Sequence, residues 1–388
     1  MDEAQRSDQI RRTLEGLLGS PASEGNDVVV LRNGDQIFGA MLDCIARAER
    51  SIDLLTFIYW TGTIGERFAD ALSERARHGV RVRVLLDALG ARNMDDELVE
   101  RMTGSGCDVR WFRPVQSGGL GEVNHRTHRK ILICDEVIGF TGGVGIADEW
   151  AGDARDETEW RDTHFRLEGP AILGLRGAFI DNWAETEGDL FDPAVDLFPP
   201  QPQSGHHTVQ VVKGAAETGW SDVSTMFRAL VQLAERRLRI TTAYFNPDEY
   251  LLELICDAAR RGVEVHLLLP GPHADKRFVQ MASESTYATL LEAGVTVCYF
   301  QPSMLHAKVM TIDGVVASVG SANVNNRSTQ FDEEVNLVLH DPDLTAILDA
   351  HFDDDLERSV AIDLERWEDR SLVQKVAEKV VETAKGTI

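Results

Sequence analysis

Short apolar runs alternating with helical stretches set the rhythm of this chain. In ARAERSIDLLTFIYW (46–60) and VQLAERRLRITTAYF (231–245), the end of a helix runs into β-branched and aromatic positions that read as a buried strand. ALSERARHGVRVRVLLD (71–87) and ICDAARRGVEVHLLLP (255–270) carry apolar residues at helical spacing, then a glycine, then alternating valines. Gly79 and Gly262 stand where a helix would end, because glycine tolerates the left-handed cap conformation. GSGCDVRWFRP (104–114) pairs with EAGVTVCYFQP (292–302), and THRKILICDEVIGFTGG (127–143) with LHAKVMTIDGVVASVGS (305–321).

Four blocks in the same order at nearly constant offset make an internal repeat. They predict two homologous α/β domains with a parallel or mixed sheet. The expected division is an N-terminal extension over 1–24, a first domain over 25–195, a linker over 196–210 and a second domain over 211–388. The linker expectation rests on the Pro, Gly and Ser content of FDPAVDLFPPQPQSGHHT. The tail SLVQKVAEKVVETAKGTI (371–388) sets Val373, Val376, Val380 and Val381 on one helical face, beside Lys375, Lys379 and Lys385. That helix is expected to pack on the domain, with a membrane surface as the alternative.

Composition narrows the function classes. With 388 residues and 43% hydrophobic content, the chain can bury substantial cores. No apolar stretch is long enough to span a bilayer, and MDEAQRSDQIRRTLEG is too charged for a secretory signal. A cytoplasmic protein, or one peripheral on the cytoplasmic membrane, is expected. The formal charge of −25 argues against nucleic acid, which demands basic surfaces. Five scattered cysteines without a CxxC pair argue against disulfides and zinc, and fit a reducing compartment.

The repeat also carries the chemistry. HRKILICD (128–135) and HAKVMTID (306–313) share the spacing His-x-Lys-x4-Asp. On a strand, as expected here, His128 and Lys130 point the same way, as do His306 and Lys308. Asp313-Gly314 is a hairpin signal. Two domains facing across a pseudo-twofold axis would bring two imidazoles and two ammonium groups to one site. One histidine can attack phosphorus while the other protonates the leaving oxygen. The lysines can neutralise the phosphoryl oxygens, so the chemistry requires no metal and no other cofactor.

The paired motifs resemble those of the phospholipase D superfamily. GNDVVVLRNGDQIFGAML (25–42), WRDTHFRLEGPAI (160–172), TAYFNPDEYLLELICDAARRGVEV (242–265) and HAKVMTIDGVVASVGSANVNNRS (306–328) are similar to its bacterial cardiolipin synthase branch. The resemblance implies a pseudo-twofold pair of phospholipase D-like α/β domains, an active site at their interface and a covalent phosphohistidine. It implies His128 as nucleophile, His306 as general acid and base, and Lys130 and Lys308 as phosphate ligands. Asn323, assisted by Ser321, matches a phosphate-contacting position. Asp162 and Glu334 match carboxylates that hold the far nitrogen of a catalytic histidine, and Asp135 and Asp313 are counted with the catalytic set, in a supporting role that pairs them with other groups near the site.

The implied reaction is phosphatidyl transfer on a phospholipid substrate, with peripheral membrane contact. Hydrolysis of phospholipid, or less readily of nucleic acid, is the alternative. This sequence departs from the branch at Gly145 and Asp332, where asparagine is usual. Within the repeat, Gly143 stands opposite Ser321. His125 reads as a loop histidine, and His206-His207 as too few for a metal tract. His164 stands where it could equally face the site or not; Phe57, Tyr59, Trp60, Tyr244 and Phe245 are expected to pack in the core, with lining of the site's entrance as the alternative.

Overall fold

The computed structural model describes residues 2–114, 125–186, 196–215 and 221–364. The amphipathic tail over 371–388 lies outside the described residues. The first repeat contributes β1 (Ser23–Arg32), β2 (Ser51–Thr56), β3 (Arg81–Asp87), β4 (Asp108–Phe112), β5 (Ile131–Cys134), β6 (Ile138–Gly142) and β7 (Thr163–Glu168). The second contributes β8 (His207–Gly214), β9 (Arg237–Thr241), β10 (Glu264–Pro270), β11 (Thr296–Phe300), β12 (Val309–Ile312), β13 (Val316–Gly320), β14 (Glu334–Leu339) and the short β15 (Ser359–Ala361).

All of these strands join in the order β15-β11-β10-β9-β12-β13-β14-β8-β1-β7-β6-β5-β2-β3-β4. Read outward from the central β8–β1 pair, the two arms have the same order, with β15 added at one edge, which is the pseudo-twofold that the resemblance implies. In each arm the three strands linked by helices pair in parallel, and the rest pair antiparallel. Helical connections make the parallel pairs possible. In the first half these are α3 (Thr63–Arg77) and α4 (Asp96–Gly104), while α2 (Asn33–Arg47) links β1 to β2. Gly79 and Gly262 have φ of 87° and 91°, each one residue past a helix cap, as the sequence predicts.

Each half has its own outer core. A third core lies between the halves, where Leu55, Ile131 and Ile133 meet Ala317, Val319, Val335 and Leu337. It also takes in α5 (Ile172–Ala184) and the helix over Pro342–Glu357 through Phe179, Leu344 and Leu348. This shared apolar layer makes the relative placement of the two motifs a packing property. Among the described residues no helix is long and apolar enough to cross a membrane.

Two boundaries differ from expectation. The segment over 1–24 contains α1 (Glu3–Leu18), which docks on the second half through buried Ile10 and Leu14. Arg6 fixes it there by donating to the Leu233 carbonyl and pairing with Asp313 at 3.5 Å. The strand β8 opens at His207, inside the stretch expected to be linker. His207 Nδ1 accepts the Val28 N–H at 3.1 Å, and the Asn26 amide donates to the His207 carbonyl. Pairing with β1 thus turns a histidine-containing linker into strand.

Candidate active site

The His-Lys pairs of the two motifs do not lie within the strands as expected. They precede β5 and β12 as extended segments, and each is stapled to the opposite half. Glu333 N–H donates to Arg126 O and His128 N–H to Glu333 O, both at 2.9 Å. The mirror pair is Arg161 N–H to Met304 O at 2.9 Å and His306 N–H to Arg161 O at 2.7 Å. Glu333 and Arg161 each stand one residue before a carboxylate. The staple therefore delivers Glu334 to His128 and Asp162 to His306.

The contacts are short and buried. His128 Nδ1 lies 3.0 and 3.1 Å from the two Glu334 oxygens, and His306 Nδ1 lies 2.8 Å from Asp162 Oδ2. Both carboxylates are fully buried. Glu334 also accepts from Ser321 Oγ at 2.5 Å, and Asp162 from Trp150 Nε1 at 2.9 Å and Thr163 N–H at 2.8 Å. A carboxylate on Nδ1 fixes the tautomer with the proton there and leaves the Nε2 lone pair free.

Burial dominates the electrostatics. It pushes His128 down to about 4, with the Glu334 carboxylate opposing and Lys130 assisting. His306 is also pushed down to about 4, by burial and by Lys308. Burial lowers Lys130 to about 7 and Lys308 to about 8, against the pull of Glu334 and Asp162. Burial alone would raise Glu334, but its contact with His128 and the nearby Lys130 hold it at about 2. Asp162 is likewise held below its ordinary value, despite burial, by His306 and Lys308. At neutral pH both histidines are therefore neutral imidazoles bound to carboxylates. Each lysine acts on the histidine of the other motif, so the four groups share one site.

Lys130 Nζ donates to the carbonyl of His128 at 2.6 Å, and Lys308 Nζ to that of His306. Each lysine thus folds back beside its own histidine, as the i, i+2 spacing predicts. Asn323 Oδ1 accepts from Thr242 Oγ1 and Tyr244 N–H, both at 3.3 Å.

The expectation for Asp135 and Asp313 is corrected. Both sit beyond the far ends of β5 and β12, in hairpin turns with φ of 53° and 56°. Asp135 accepts the N–H groups of Glu49, Arg50 and Ser51, and Asp313 those of Glu235, Arg236 and Arg237. Each carboxylate caps the start of the neighbouring strand, β2 or β9, at the end opposite the histidines.

The two glycines of the first half have a steric origin. A Cβ at Gly143 would meet Asp162 Oδ1 at 2.2 Å, and one at Gly145 would meet Ile58 Cβ at 2.6 Å. Trp150 supplies to Asp162 the donor that Ser321 supplies to Glu334. Nothing in the repeat points to this role, because Trp150 has no counterpart in the second half. Trp150 and Trp160 flank His306 with ring centroids at 5.1 and 5.5 Å, and Phe57 stands 5.3 Å from His128.

Of the other aromatics, Tyr244 meets His306 edge-on at 6.3 Å, while Tyr59 and Phe245 are core residues. Trp60 bonds to the Gly90 carbonyl. His164 is buried, with Nδ1 unpartnered, and His125 Nδ1 lies 3.3 Å from the Phe331 carbonyl. Asp332 is pushed up to about 7 by burial, against its bond to Arg327. Among the described residues, one group (His206, His207 and Asp341) places three metal-ligand atoms within 4.8 Å. The Val28 N–H on His207 Nδ1 puts that ring's proton on Nε2, which opposes ligation.

Comparison with known proteins agrees with this geometry. The family model described as "Cardiolipin synthase, PLD-like domain" matches residues 41–161 and 227–356, one match in each half. A cardiolipin synthase of Geobacillus kaustophilus (strain HTA426) is 34% identical over 362 residues, covering 93% of this chain and 72% of that one. Cardiolipin synthase 2 of Bacillus anthracis is 35% identical over 351 residues, covering 90% and 68%. The crystal structure of phosphatidylserine synthase from Haemophilus influenzae Rd KW20 superposes with a TM-score of 0.69 at 14% identity, over 100% of both chains. That likeness speaks to the fold. The chain belongs to the cardiolipin synthase family of the phospholipase D superfamily.

Proposed function

We propose that this protein transfers a phosphatidyl group between alcohols through a covalent phosphohistidine, as in cardiolipin synthesis from phosphatidylglycerol. The observation that carries the reading is the crossed clamp. Each imidazole is held through Nδ1 by a carboxylate of the opposite half, with Nε2 unprotonated and two lysines alongside.

His128 Nε2 attacks phosphorus, the P–N bond forms, and the bond to the leaving oxygen breaks. His306 gives that oxygen a proton. The free site holds His306 neutral, and the bound anionic phosphodiester makes its protonation favourable by offsetting the charges of Lys130 and Lys308. In the second step an acceptor alcohol yields its proton to His306 Nε2 as its oxygen bonds to phosphorus, and the P–N bond to His128 breaks. The lysines stabilise the charge on the phosphoryl oxygens in both transition states. Ser321 acts through Glu334 rather than on phosphate, and Asn323 orders the strand end beside it.

The substrate is a membrane lipid, so the protein works at a membrane surface. Phe278, exposed beside Lys276 and Arg277, offers an apolar and cationic contact there. Purified protein incubated with phosphatidylglycerol vesicles and a chelator is expected to yield cardiolipin and glycerol. Phosphatidic acid as the sole product would refute transfer in favour of hydrolysis.

A further inference from the structure

In an in-line displacement at phosphorus, the attacking and leaving atoms lie on opposite sides. With His128 as nucleophile, both the departing and the incoming alcohol occupy the His306 flank. That flank differs from the other. Trp160 is tilted against His306, and Tyr244 meets it edge-on. The Tyr244 hydroxyl donates to the carboxylate of Asp275 at 2.8 Å to one oxygen and 3.0 Å to the other. Lys276 places its ammonium 5.2 Å from the Tyr244 ring centroid. Asp275 is exposed and its charge acts on Lys308, so the carboxylate stands on the solvent side of the lysine's surroundings. The repeat puts Ile58 opposite Tyr244, so the His128 flank lacks this hydroxyl.

A carboxylate held by one phenol keeps lone pairs for further donors. Two hydroxyls on adjacent carbons suit it, since each can donate to one oxygen. The geometry points to Asp275, oriented by Tyr244, as the residue that selects a polyol as leaving group and acceptor, by accepting hydrogen bonds from hydroxyls other than the reacting one. This inference rests on the transfer reading above and adds the residues that read the alcohol. Asp275 makes no bond to phosphorus and moves no proton; it is a specificity residue.

The test is a partition measurement on the full chain. Protein is given phosphatidylglycerol vesicles with equal concentrations of radiolabelled glycerol and 1-propanol, and labelled phosphatidylglycerol is counted against phosphatidylpropanol. Wild type is expected to favour glycerol. Asp275→Asn is expected to lower the glycerol-to-propanol ratio about tenfold, the scale of one charge-assisted hydrogen bond. Tyr244→Phe, which frees the carboxylate to turn away, is expected to move the ratio in the same direction. An unchanged ratio in both variants would overturn the inference while leaving transfer intact. Phosphatidic acid alone from the wild type would overturn the transfer reading beneath it.

Discussion

Glu334 holds Nδ1 of His128 although 206 residues and the boundary between halves separate them. Asp162 and His306 do the same in the reverse direction. Neither half therefore contains a complete histidine clamp. Removing the charge of Glu334 while keeping its shape leaves a buried imidazole without its tautomer-fixing acceptor. Glu334→Gln is expected to lower kcat by roughly a hundredfold to ten-thousandfold, the range seen when such a carboxylate becomes an amide. Steady-state transfer rates, with circular dichroism as the check on folding, decide this. A variant within a few fold of wild type would sink the orienting role.

The repeat is unequal because the carboxylates are fed by different donors. Gly143→Ser would copy the second half into the first, but its Cβ would strike Asp162 Oδ1. Displacing that carboxylate from His306 is expected to cost about tenfold to a hundredfold in kcat, in line with about 1–3 kcal/mol for overpacking a tight site. Ser321→Ala removes one donor to Glu334 without a clash and is expected to cost less. The order of the two kcat values is the measurement, and the reverse order would refute the steric argument.

Much of this was legible in the sequence because it is local or periodic. The helix-ending glycines, the two α/β halves implied by the repeat and the His-x-Lys spacing all follow from chain geometry. The crossing of the clamp was not legible, since a carboxylate's position downstream of a motif does not say which histidine it reaches. That is settled by the shared core around Leu55, Ile131, Val319 and Leu337. Asp135 and Asp313 misled for a related reason. Their regular distance from the lysines reflects a short strand and its turn, and the same strand carries them away from the site. Trp150 stayed hidden because a repeat reveals only what both copies keep.

The lysines set the alkaline behaviour. Lys130 at about 7 and Lys308 at about 8 are charged below those values and lose their charge as pH rises through them. Phosphodiester binding is therefore strongest on the acid side and falls through this window. In kcat/KM, which reports the free enzyme, an alkaline decline is expected between about pH 7 and 8. In kcat the decline should move to higher pH, because bound phosphate favours both ammonium groups. The two limbs belong to the coupled set rather than to either residue alone. Rate profiles across this range test the argument; a kcat/KM flat to pH 9 would remove the charged lysines from binding.

The two histidines have the same surroundings but different tasks, and trapping separates them. If His128 carries the phosphatidyl group, His128→Ala cannot form the acid-labile adduct with any substrate. If His306 only moves protons, its loss should matter least when the leaving group needs no proton. His306→Asn given phosphatidyl-p-nitrophenol is expected to release nitrophenol in a burst and then stall, because no base activates the acceptor alcohol. The adduct should then accumulate to nearly one per protein and survive long enough for its labelled peptide to be mapped. A label on the peptide bearing His306 in the wild type, or a normal burst from His128→Ala, would exchange the two roles while leaving the crossed carboxylates in place.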